Sequence, residues 1–200
     1  ESYAALTKLQ VAHQKRGDFT LRAGYASGDS DPYDDTMHAF TFDRDSNAGI
    51  LLFDVYQNAV EVGMYNEVTD PKYSAEPPSG LEATITEGAI RQAMFLNPTW
   101  LAPITDSFSA KTGSVVAWNT APVSYGFEAH RNGGVPTNRL GQPTDGYYLG
   151  TELNWGAIYK APIKQLTGTF VFEGAHLLAS ENLTDEGVLS LYRVQFRLNW

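Results

Sequence analysis

Apolar and polar residues alternate without exception over the last nine positions of the chain. Tyr192, Val194, Phe196, Leu198 and Trp200 are apolar or aromatic, and Arg193, Gln195, Arg197 and Asn199 between them are polar. Period-2 alternation sends one set to each face of a β-strand. Read backward from Trp200, similar segments recur between stretches of turn-forming residues. Leu189–Trp200 is predicted as the last strand, after the polar loop Ser180–Gly187. Leu166–Leu178 and Tyr148–Lys160 form a strand pair around the tight connection Ala161–Lys164. Glu152, Asn154 and Lys160 take one face of the second strand, and Leu149, Leu153, Trp155, Ala157 and Tyr159 the other. Thr120–Gly146 is rich in Gly, Pro, Asn and Asp and reads as a long loop. Phe108–Asn119 and Ala89–Ala102 are two further strands joined by Pro103–Ser107. Ser27–Glu87 is a long insertion, and Phe19–Ala26 pairs with Thr7–Lys15 around Arg16-Gly17-Asp18.

The predicted connections alternate between short and long, and all the long ones fall at one end. Bacterial outer-membrane β-barrels have short periplasmic turns and longer extracellular loops, and the strand Tyr192–Trp200, ending on an aromatic residue, resembles their C-terminal assembly signal. The expected fold is therefore all-β, a transmembrane antiparallel barrel with extracellular loops at 27–87 and 120–146. Seven strands are expected, or nine if Ala48–Asn66 supplies a hairpin. An odd count puts residue 1 outside, whereas bacterial single-chain barrels have an even count and periplasmic termini. The expectation is thus the C-terminal part of a larger barrel, with upstream strands elsewhere. One strand missed near the N-terminus makes eight and a complete small barrel. The expected partners are outer-membrane lipids and the barrel-assembly machinery. Trp100, Trp200, Tyr159 and Phe108 fall near the periplasmic strand ends and Trp118, Tyr25 and Tyr148 near the outer ends, as interfacial girdles do. A soluble β-sandwich with extended loops is the other architecture compatible with the alternation.

With the apolar parity assigned to lipid, the polar parity is the lumen. It places Arg22, Arg91, Lys111, Lys160, Arg193 and Arg197 inside, against Glu152 and Glu173. Such a basic excess contrasts with a chain of 14 basic and 23 acidic residues, whose acids concentrate in loops. A cationic lumen attracts anions by its field and by direct pairing. The alternative is that these cations pair with acids and fill the interior as a structural network.

Other chemistry is sparse. Asp29, Asp31, Asp34, Asp35, Asp43 and Asp45 offer clustered oxygen ligands of the kind Ca²⁺ takes, without EF-hand spacing. Calcium in loop 27–47 and a simply solvated acidic loop both remain open, and no other cofactor is expected. His13, His38, His130 and His176 are scattered, and no nucleophile elbow, phosphate loop or dinucleotide fingerprint occurs, so no enzymatic activity is expected. There is no cysteine, which excludes disulfides and thiolate metal sites. A net charge of −9 argues against nucleic acid as a partner. The longest apolar run, Ala48–Phe53, is far below the ~20 residues of a membrane-spanning helix.

Leu21–Thr36 adds a narrower resemblance. Tyr25-Ala-Ser-Gly-Asp29, followed by Asp31, Pro32, Asp34, Asp35 and then Phe40 and Phe42, resembles a strand and loop of the alginate-export family of outer-membrane barrels. That resemblance implies a large porin-like barrel whose cationic lumen passes an anionic polysaccharide, and it ends after Phe42. The expectation is an export or porin-like segment passing anionic solutes. The competing expectation is a structural barrel that anchors a surface assembly by binding other proteins through its long loops.

Overall fold

The computed structural model describes residues 1–200 except 31–35, 37, 74–85, 87, 123–124, 139, 164–165, 185–186 and 200; the side chains of 163 and 199 are likewise left aside. Seven strands form one antiparallel sheet in chain order: β1 Ala4–His13, β2 Gly17–Ala26, β3 Ala93–Pro103, β4 Phe108–Asn119, β5 Tyr148–Ile163, β6 Leu166–Ala179 and β7 Val188–Asn199. Neighbours in sequence are neighbours in space, as in an up-and-down meander. The turn end carries the short connections 14–16, 104–107 and 164–165. The loop end carries 27–92, 120–147 and 180–187.

The sheet is open, with β1 and β7 as its edges, so this chain does not form the complete small barrel that an eighth strand would have allowed. The reason is directional. In a seven-strand meander β1 and β7 run the same way, so no antiparallel ladder can join them.

Ala48–Asn66 is not a hairpin. Leu52–Gln57 forms a π-helical stretch that continues into helix α1, Asn58–Thr69. A second short helix, α2, spans Gly126–Arg131. Among the described residues no helix is long and apolar enough to cross a membrane. β3 begins at Ala93 rather than at Ala89, because Gln92 has φ +39 and breaks the extended run. Leu149 also departs from its expected face. The register slips between Ala117 and Trp118 opposite Gly150, whose φ is +148 and where a Cβ would lie 2.6 Å from the Leu178 carbonyl oxygen. This bulge turns Leu149 to the side of Glu152, where it is buried.

The core lies on one face of the sheet, towards the loop end. Leu52 and Phe53 of the inserted segment and Ile90 pack with Phe95, Val115, Ala117, Leu149, Ala175 and Leu177 of the sheet. Phe53 meets Phe95 edge to face at 6.0 Å. We call this face inner and the opposite face outer.

Candidate functional site: a charged inner face and an apolar outer face

The register assigns every strand residue to a face. The strands carry nine residues of the Asp, Glu, Lys and Arg types: Lys8, Asp18, Arg22, Lys111, Glu152, Lys160, Glu173, Arg193 and Arg197. All nine have inner parity. The outer face instead holds Leu9 and Val11 of β1, Phe19 and Tyr25 of β2, and Met94, Leu96 and Trp100 of β3. It continues through Leu153, Trp155 and Tyr159 of β5, Phe170, Phe172 and Leu178 of β6, and Tyr192, Val194, Phe196 and Leu198 of β7. Each of these side chains is at least 36% exposed. They come from six of the seven strands, all but β4, and on β5–β7 their rings touch: the centroids of Phe170 and Phe196 are 4.7 Å apart and those of Trp155 and Phe172 5.2 Å. Monomeric soluble proteins rarely expose a contiguous apolar patch beyond a few hundred Å².

The inner face has two halves. Across its middle, Lys111, Gly156, Glu173 and Arg193 stand in register on four successive strands. Lys111 Nζ donates to Glu173 Oε1 at 2.9 Å, and Arg193 Nε to Oε2 at 2.8 Å. Gly156 leaves the gap through which Lys111 reaches Glu173; a Cβ there would sit 3.2 Å from Glu173 Cγ. Nearer the turn end, two rows on, Lys160, Thr169 and Arg197 stand in register, and Arg197 Nη2 donates to Gln195 Oε1 of the row between at 2.8 Å. Arg22 pairs in register with Lys8 and donates from Nη1 to the Asn47 carbonyl oxygen.

The loop-end half is closed by the inserted segment. Glu152 is fully buried, and its carboxylate accepts from three consecutive backbone amides: Ile50 N at 2.7 Å to Oε1, Leu51 N at 3.1 and 3.2 Å to the two oxygens, and Leu52 N at 2.7 Å to Oε2. These amides open the helical stretch, where unpaired N–H groups and the helix dipole favour an anion. Gly49, at φ +76, makes the approach possible, since a Cβ there would lie 2.7 and 2.8 Å from the carboxylate oxygens. Glu152 is thus the seat for segment 48–57.

The predicted lumen set divides accordingly. Lys111, Glu173 and Arg193 come together in one ion triad, Lys160 and Arg197 share a row beyond it, and Glu152 and Arg22 both hold the inserted segment. Arg91 lies before β3, in an isolated bridge with Thr41. Lys8 and Asp18 were not among the expected residues, although the alternation of Leu9 and Val11 with Lys8 already carried the signal for the first. Of the candidate calcium ligands, Asp31, Asp34 and Asp35 lie outside the described residues. Asp29 Oδ2 accepts from His38 N at 3.2 Å and Asp43 Oδ1 from Asp45 N at 2.9 Å. Among the described residues no three His, Asp or Glu side chains are grouped so as to hold a metal ion. In the terminal strand, Tyr192, Val194, Phe196 and Leu198 all lie on the outer face; Trp200 lies outside the described residues.

These observations define an all-β chain, an open antiparallel sheet with its ionised groups confined to one face. No family model matches the chain, and no curated protein or solved structure is significantly similar to it. Neither the alginate-export family nor any porin-like family is identified by these comparisons.

Proposed function

We propose that this sheet is part of the wall of a bacterial outer-membrane β-barrel, that its outer face meets lipid, and that its inner face lines a porin-like path for anionic solutes. One observation carries the reading: all nine ionised strand residues face one way, while the opposite face is apolar and exposed on strand after strand. A charge on the lipid side costs about 2–4 kcal/mol for Arg or Lys at the bilayer midplane, which accounts for a face without any. The six basic residues exceed the three acidic ones, so the inner face is net positive in a chain of net charge −9. Arg197 and Lys160, at the turn end and outside the ion triad, supply a field that draws anions.

The test is conductance of the chain inserted in a planar bilayer, together with whatever strands close the barrel. Anion preference is expected, weakening as added salt screens the charges. Lys160→Glu combined with Arg197→Glu leaves the Lys111–Glu173–Arg193 triad and the outer face untouched. It should move the reversal potential in a salt gradient towards cation preference. An unchanged reversal potential would contradict the assignment of the inner face as the path.

The packing of segment 48–57 supports a second reading. The loop-end half of the inner face is filled by an apolar core, as in a plugged structural barrel that anchors other surface proteins through its loops. A folded, inserted barrel without conductance would favour that reading.

A further inference from the structure

A cavity of about 150 Å³ lies at the loop end, between α1 and the loop-end termini of β3, β4 and β5. Leu52, Glu61, Met64, Arg91, Asn119 and Tyr125 are among its lining residues. Arg91 is one of these lining residues and makes no side-chain hydrogen bond or ion pair among the described residues, whereas Arg193 and Lys111 are both paired. The acid whose charge Arg91 influences is Glu61, and that carboxyl is already engaged. Its Oε2 accepts from Thr86 N at 2.7 Å and from Thr86 Oγ1 at 2.8 Å. Burial raises the Glu61 pKa above its ordinary value, against the lowering effects of the Thr86 bonds and of Arg91.

A guanidinium presents a planar fork of donors that matches a carboxylate in two parallel hydrogen bonds. The rest of the wall combines apolar side chains, Leu52 and Met64, with amides. A cavity of this volume accommodates a six-membered ring and is too small for a polymer to thread. We propose that it is a binding site for a small organic carboxylate of about one ring, with the carboxylate on Arg91 and the ring against Leu52 and Met64. This site requires neither a closed barrel nor a membrane, so it stands or falls separately from the transport reading.

The experiment is calorimetric titration of the purified 200-residue chain with benzoate. Benzyl alcohol serves as the uncharged analogue and inorganic phosphate as the anion without a ring. Saturable binding of benzoate is expected, with none of benzyl alcohol. Arg91→Gln should weaken it by roughly tenfold or more, because charge-assisted hydrogen bonds are lost. Glu61→Gln, which keeps Arg91 and removes the competing charge, should tighten it and reads out the site without loss of the anchor. Absence of saturable benzoate binding, equal binding of benzyl alcohol, binding of phosphate alone, or full binding by Arg91→Gln would each overturn the proposal.

Discussion

Replacing Glu152 by alanine should release residues 48–57 from the sheet while leaving the seven strands paired. Among the described residues the carboxylate is the only side-chain acceptor for the amides of Ile50, Leu51 and Leu52, and all three are buried against it. A buried donor left without its acceptor costs about 1–3 kcal/mol. Three at once cost an amount comparable with what burial of Leu52 and Phe53 contributes, at about 1.5–3 kcal/mol for each side chain, so the seat of the segment is lost or nearly so. The segment should therefore become a substrate for protease in the folded chain, with cleavage confined to the neighbourhood of 48–69. Glu152→Gln keeps one acceptor oxygen and should fall between. Gly49→Ala attacks the same joint from the other side, by steric contact with the carboxylate and with Val115 Cγ2 at 2.8 Å. A proteolysis pattern unchanged in Glu152→Ala would show that the apolar core alone seats the segment.

A second large effect is expected from arginines placed on the outer rather than the inner face of the same strands. Phe172 and Val194 are paired in register at the middle of β6 and β7 on the outer face. Phe172→Arg and Val194→Arg together should block insertion into outer membranes, at about 2–4 kcal/mol for each charge near the midplane. Gln195→Arg, one residue along and on the inner face, should insert normally, because it joins Arg193 and Arg197 on the side that already carries charge. Folding in water would not distinguish these variants so sharply, as all of the positions are at least partly exposed. Equal insertion of the outer double variant and of Gln195→Arg would remove the lipid-facing assignment.

The alternation of residues made the strands and their faces legible, because a period of two is a local property of the chain. Tyr192 to Leu198 lie on the outer face and Arg193 to Arg197 on the inner, as the pattern predicts. Leu149 went to the wrong face, since a bulge at Gly150 depends on a backbone conformation that composition does not reveal. Ala48–Asn66 was open to reading as a hairpin because a short apolar run is shared by buried strands and buried helices. Its helical start is stabilised by Glu152, about a hundred residues away in the chain. The same distance hid the role of Glu152: the alternation placed it on the inner face, but its three amide partners belong to another part of the sequence. Arg91 was assigned by extending a strand that Gln92 interrupts. The open sheet was legible in the strand count, since with seven strands β1 and β7 run the same way and cannot pair antiparallel.

The central claim is that the outer face meets lipid. Because the chain has no cysteine, single cysteines can be introduced and spin-labelled one at a time along β7 from Tyr192 to Leu198 in reconstituted membranes. A period-two profile is expected. Labels at 192, 194, 196 and 198 should collide with oxygen, which concentrates in the bilayer, and be shielded from a water-soluble nickel complex. Labels at 193, 195 and 197 should show the reverse. A profile without alternation, or one in which the labels at 194 and 196 meet the nickel complex as freely as those at 193 and 195, would contradict it.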